Sequence, residues 1–129
     1  VTYLLIAIGS ALGGMARHWC GLAVAARMGT AFPLGTVLIN ILGSFLIGVV
    51  AALTQADGRW GSAQLTRDFL MVGVLGGYTT FSAFSLQTLN LLRDGKLAYA
   101  GANVAVSVGA CLIAVWLGYV LGSALKPAA

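Results

Sequence analysis

The chain has 129 residues, of which 60% are hydrophobic and 8% charged, and its formal net charge is +4. A soluble domain carries about 25% charged residues, so this composition excludes a water-facing globular surface and indicates a protein built for lipid. Its seven basic residues are scattered, mostly at segment ends, which also excludes the clustered basic face of a nucleic-acid binder.

Several apolar stretches reach the roughly 20 residues that a membrane span requires. The first runs from about Tyr3 to Ala25. No basic region precedes its apolar start and no polar mature domain follows, so it reads as a span and not as a secretory leader. Arg17 and His18 lie within it, and a loop with Arg27 and Gly29 ends it. The second span runs from about Phe32 to Thr54, with Pro33 near its start, where a missing N–H costs little. The stretch from Gln55 to Asp68 reads as fully aqueous. The third span runs from about Phe69 to Leu92 and is interrupted near its middle by Gly76-Gly77-Tyr78-Thr79-Thr80. The turn Arg93-Asp94-Gly95-Lys96 closes it. The fourth runs from about Leu97 to Leu125 and ends at Lys126-Pro127. The expected fold is therefore an all-α integral membrane protein of four transmembrane helices, one domain over 1–129, with the third helix broken at membrane depth. Cys20 and Cys111 fall within spans and read as small apolar core residues; neither a disulfide nor a metal site is inferred from them.

Gly9 and Gly13, Ser44 and Gly48, and Gly118 and Gly122 form small-xxx-small pairs, which let helix backbones approach closely. Such pairs serve either helix packing within one subunit or a subunit interface. Four spans place Arg59, Arg67 and Lys126 on one side and Arg27, Arg93 and Lys96 on the other. Cytoplasmic loops are normally enriched in Lys and Arg, so this balance gives the insertion machinery no clear instruction. Either residues upstream of Val1 set the orientation, or the chain inserts both ways and opposite copies pair. Four short helices enclose little volume, and a pore forms more naturally between subunits. That favours an antiparallel homodimer.

No Asp, Glu or Lys falls within the expected spans. Proton-coupled transporters usually need an intramembrane carboxylate or His relay, so active transport is disfavoured. The lack of paired acids or ligand clusters disfavours an enzyme. Neutral polar groups remain: Thr36, Asn40, Ser44, Thr79, Thr80, Ser82, Ser85, Asn103 and Ser107. Asn40, midway along the second span, either makes an interhelical hydrogen bond, worth about 0.6 to 2 kcal/mol, or lines a pore and donates its NH₂ to an anion. The glycine-threonine run in the third span either softens a continuous helix, with Thr hydroxyls bonded back onto their own turn, or unwinds it. Unwinding frees carbonyls at membrane depth, which is tolerated only where they are buried in protein or line a cavity. Such carbonyls can coordinate Na⁺. Phe81 and Phe84, spaced i, i+3, share a helix face beside Thr80, Ser82 and Ser85. They are either packing aromatics or, because a ring edge is electropositive, partners for a small dehydrated anion.

The runs GGYTTFSAFS, residues 76–85, and PLGTVLINILGSFLIG, residues 33–48, resemble the Fluc family, the small fluoride channels of bacteria. The resemblance extends over the whole chain, including the arginine near the end of the first span. It implies a dual-topology antiparallel homodimer in the bacterial cytoplasmic (inner) membrane, with two pores that passively export fluoride and relieve its toxicity. By position, Phe81 and Phe84 match the paired phenylalanines whose edges face fluoride, and Asn40 matches the pore asparagine. Thr36 matches a polar residue near the pore, and Ser107 the first member of a polar track on the fourth helix. Thr80 and Asn103 are expected to add to that polar lining. Gly76 and Thr79 match residues whose backbone carbonyls, two from each subunit, hold a central structural Na⁺. Arg17 matches the vestibule arginine, although snorkelling at a helix end would also account for it. Cys111 stands where some members have a second track serine, and a thiol is a weaker donor than a hydroxyl. Tyr78 replaces a common Leu.

Neutral donors suit such an ion, since they replace its water without holding it too tightly to leave, while basic residues at the mouths raise the local anion concentration. The main rival is a small multidrug exporter, which has similar length but needs a carboxylate in its first helix; none is present here. A non-transporting accessory subunit would not need the Phe pair, Asn40 and the helix break together.

Overall fold

The structure is a computed structural model that describes residues 1–54 and 63–125. Long proline-free apolar runs produce long helices. Helix α1 spans Thr2–Met28 and stops at Gly29, whose φ of 76° reverses the chain while its N–H still bonds Ala25 O. Helix α2 spans Leu34–Thr54. Pro33 sits just outside it and its carbonyl accepts the Val37 N–H at 3.1 Å, so its missing donor is one that no helix start would use.

The third span begins earlier than the sequence suggests. Its first half, α3, covers 63–78 and comprises Ala63–Leu65, a π-helical stretch Thr66–Leu75 and Gly76–Tyr78. The wider π pitch is visible where the Gly76 N–H reaches back to Met71 O. The second half, α4, is Phe81–Arg93, and α5 is Leu97–Ala124. A left-handed Gly95, φ 74°, joins them: its N–H bonds Leu92 O and the Lys96 N–H bonds Leu91 O, which ties off the carbonyls at the end of α4.

Among the described residues, Leu34–Thr54, Thr66–Arg93 and Leu97–Ala124 are long and apolar enough to cross a membrane. Helix α1, with 27 residues, has the length, about 40 Å at 1.5 Å per residue. Arg17 and His18 keep it below the others in apolarity. The expectation of an aqueous stretch as far as Asp68, and of spans free of acids, is corrected. Asp68 is helical and 4% exposed, inside the third span. Arg67, adjacent in sequence, is exposed and offers Nε at 3.4 Å to one carboxylate oxygen. The other oxygen, Oδ2, is buried without a hydrogen-bond partner. Residues 55–62, with Arg59, and 126–129, with Lys126, lie outside the described residues.

Two helix pairs organise the bundle: α1 packs along α3, and α2 along α5. Glycines permit both crossings. A Cβ on Gly9 would lie 2.5 Å from Phe69 O, and one on Gly77 2.7 Å from Ser10 O. Gly13 meets Val74 O, Gly48 meets Val115 O, Gly118 meets Phe45 O and Gly122 meets Val49 O in the same way. Of the two readings left open for these pairs, packing within one subunit accounts for Gly9, Gly13, Gly48, Gly118 and Gly122. Without side chains between them, the backbones gain van der Waals contact that bilayer solvation does not supply.

Candidate functional site

The interruption of the third span is narrower than its sequence suggests. Gly76 to Tyr78 remain helical; only Thr79 (ψ 161°) and Thr80 (φ −155°, ψ 114°) are extended. Gly77 is used for close approach to α1, so the β-branched threonines, not the glycines, carry the break. Thr80 then starts α4: its hydroxyl accepts the Ala83 N–H at 3.1 Å, an N-cap bond. Thr79 bonds its own hydroxyl back to Leu75 O at 3.1 Å.

Asn40 of α2 spans the break. Its Oδ1 accepts the Thr80 N–H at 2.8 Å, and its Nδ2 donates to Thr80 O at 3.0 Å. The amide thus takes the place of a missing helix turn on both sides of one residue. The interhelical bond foreseen for Asn40 exists, and one of its two N–H donors remains for a solute. Arg17 reaches the same point from α1, its Nη1 donating to Thr79 O at 3.3 Å.

Two clefts meet here. The smaller one, called the inner cleft below, has a volume of about 410 Å³ and is lined by Asn40, Ser44, Gly76, Thr79, Thr80, Phe81, Phe84, Ser107 and Cys111 with apolar neighbours; among the described residues no charged side chain faces it. The wider one, about 830 Å³, forms a mouth that includes Arg17, His18, Thr36, Thr80, Ser82, Gln87, Asp94 and Lys96. Thr80 lines both. The residues expected to work together are therefore divided by the break. Asn40, Gly76, Thr79, Thr80, Phe81, Phe84 and Ser107 share the inner cleft, whereas Arg17 and Thr36 sit in the mouth. Asn103 lines neither of these clefts; it is 1% exposed and bonds to Thr88 and Ser107.

The phenyl rings of Phe81 and Phe84 are adjacent, with centroids 5.1 Å apart and planes at 50°. Phe84 is 8% exposed, while Phe81 is 75% exposed. Tyr78 is buried, with its hydroxyl 3.6 Å from Cys20 Sγ. Cys111 lines the inner cleft one turn beyond Ser107, at the track position that the resemblance gives it and not as the purely apolar core residue that composition suggested; the i, i+4 spacing carries that signal. Ser44 joins the cleft by the same spacing from Asn40, and here too the pattern was available in the sequence.

A hard cation would find neutral oxygen donors at the break. In a continuous helix Gly76 O would accept the Thr80 N–H, but that donor is committed to Asn40. Gly76 is exposed, and a Cβ there would meet nothing nearer than Met71 O at 3.6 Å. Thr79 O already accepts a long bond from Arg17, which leaves one of its two lone pairs. These carbonyls fit Na⁺, and one chain supplies two of them.

A helical bundle with three helices apolar and long enough to span a membrane, and an uncharged cleft that carries a few polar groups among apolar ones, defines a multi-pass membrane protein. The chain belongs to the CrcB family: residues 4–119 match the family described as "CrcB-like protein, Camphor Resistance (CrcB)". It is 57% identical over 124 residues to the "Fluoride-specific ion channel FluC" of Methylocella silvestris, covering 96% of this chain and 95% of that one. Relatives of the same name from Opitutus terrae, 52% identical with 96% and 94% covered, and Rhodospirillum rubrum, 53% identical with 93% of each covered, are similarly close. The shared name is that of an ion channel, not of an enzyme.

Proposed function

We propose that the chain is a fluoride-selective channel that lets F⁻ leave the cytoplasm passively across the bacterial inner membrane, with α1 as the fourth span and two copies paired antiparallel. The observation that carries this reading is the inner cleft. It joins an amide, hydroxyls, a thiol and a phenylalanine pair between apolar helices without a fixed charge. Neutral donors can replace the water of a small, strongly hydrated anion, and conduction requires binding weak enough to permit exit. Arg17, its guanidinium engaged by Thr79 O, and Lys96 line the mouth, where they raise anion concentration instead of trapping the ion. The full-length match to relatives named as fluoride channels supports the choice of ion.

The 75% exposure of Phe81 beside a buried Phe84, and the exposed backbone of Gly76, are what a second copy would cover. Two carbonyls from each chain, at Gly76 and Thr79, would then surround a structural Na⁺. When bound, that ion would satisfy the carbonyl lone pairs left without hydrogen bonds at the subunit contact. The multidrug-exporter alternative gains no support from Asp68, which lies in the third span and lines neither cleft.

Fluoride-loaded liposomes test the reading. Vesicles containing the protein release fluoride far faster than empty ones, retain chloride, and lose the activity when Na⁺ is replaced on both sides by a bulky organic cation. Release no faster than from empty vesicles rejects the channel. Equal chloride release rejects selectivity, and full activity without Na⁺ rejects the structural ion.

A further inference from the structure

A chain of side-chain hydrogen bonds behind the inner cleft has a definite direction. Thr88 carries a single hydroxyl proton, and Phe84 O, 2.8 Å away, can only accept, so the proton goes there. The Thr88 oxygen must therefore accept from Asn103 Nδ2 at 2.9 Å. That fixes the Asn103 amide in one of its two possible orientations, with Oδ1 turned to Ser107. Oδ1 has no proton to give, so the Ser107 hydroxyl donates to it, across 3.4 Å. Ser107 lines the inner cleft, yet at rest its only proton points away from the cleft into protein. An anion arriving there first meets lone pairs.

We propose that Asn103 and Thr88 are positioning residues that hold the Ser107 proton in reserve. The inference rests on the channel reading above and concerns how one of its donors is controlled. A 3.4 Å separation is long for an O–H···O bond, so the bond is weak enough for the proton to swing to a passing fluoride at the cost of one modest hydrogen bond. Asn103, 1% exposed, is then left with a buried, unpaired carbonyl, and that penalty draws the proton back when the ion leaves. Ser107 thereby binds strongly enough to help strip water and weakly enough to release. Thr88, which lines neither cleft, sets the direction of the chain from outside the ion's path.

The test is current against fluoride concentration in planar bilayers, for wild type, Thr88→Val, Thr88→Ser, Asn103→Leu, Ser107→Ala, and the first and third of these variants combined with Ser107→Ala. Thr88→Val frees the amide to rotate and Asn103→Leu removes the competing acceptor. Both lower the half-saturating fluoride concentration about three- to tenfold, the net worth of one hydrogen bond, and both slow maximal current. Thr88→Ser restores wild-type values. In the Ser107→Ala background neither substitution changes half-saturation further. A half-saturation that is unchanged or raised in Thr88→Val, or a shift that persists without Ser107, overturns the relay. So does a Thr88→Val protein that cannot be reconstituted, since its hydroxyl would then be structural; this arm decides the matter if Asn103→Leu alone fails to fold. Wild type with fluoride current and a flat variant series removes only the relay, whereas wild type without current removes the channel and the relay together.

Discussion

At the scale of single residues, the inner cleft separates groups that share a chemistry but not an environment. Phe81 and Phe84 are one turn apart and their rings touch, yet one is open and the other enclosed. Replacing Phe84 by Ile removes packed ring atoms from a site that cannot refill, which costs about 1 to 3 kcal/mol. Replacing Phe81 by Ile removes almost nothing that a single chain has buried and stays within about 0.5 kcal/mol in an unpaired chain, so a larger loss in the intact protein reports cover by the proposed second copy. Both variants are expected to reduce fluoride flux sharply, because the ring edges are the proposed contact. Denaturation in detergent together with liposome efflux reads the two quantities. Wild-type flux in both variants would show that the rings lie outside the path. Asn40 is the opposite case, a residue whose structural and functional roles coincide: the amide that closes the break at Thr80 is the same one that lines the cleft.

At the scale of elements, the break depends on how closely α1 and α3 approach. Tyr78, the last helical residue before the break, is in the path of any side chain on Gly13: a Cβ there would fall on Val74 O and 2.8 Å from Tyr78 N. Both are backbone atoms and cannot step aside without moving Thr79 and Thr80. Gly13→Ala is therefore expected to destabilise by about 1 to 3 kcal/mol and to cut flux, since the arginine and asparagine contacts at the break would lose register. Gly101→Ala, in α5 and lining neither cleft, is the internal control. Nothing lies within 4 Å of its Cβ, so it gains about 0.5 to 1 kcal/mol from helix propensity alone and leaves flux unchanged. Equal behaviour of the two variants, in thermal unfolding and efflux, would disprove the close-approach argument.

At the scale of the whole molecule, the proposed antiparallel pairing can be tested through the charges that flank the spans. Counted from the sequence with four spans, the basic residues divide three against three, Arg27, Arg93 and Lys96 against Arg59, Arg67 and Lys126, a balance that favours neither orientation. Reporter fusions at the C-terminus should accordingly be active on both sides of the membrane in comparable amounts. Activity on one side only would leave the antiparallel pair without a means of forming. Asp68 adds a feature that residue counting over loops does not register, a carboxylate held within the third span beside an exposed arginine.

Much of the fold was legible in the sequence because lipid imposes a simple rule: runs of apolar residues become helices, and breaks in those runs become ends. Helices α2 and α5 lie within two residues of their expected bounds for that reason. The pairing of Phe81 with Phe84 and the placing of Asn40, Thr80 and Ser107 in one cleft were likewise legible, through spacing and family resemblance. Three things required the tertiary structure. The break lies at Thr79 and Thr80 and not at the glycines, because Gly77 is needed against Ser10 and because Asn40, forty residues away, supplies the missing bonds. Asp68 is buried within a span, because a helix can start inside a stretch whose composition reads as a loop. Asn103 stands behind the cleft and not in it, because which residue of a helix faces a cavity depends on what its neighbours pack against. Local sequence determines where the chain can be helical; contacts between distant segments decide which polar groups are left free to meet an ion.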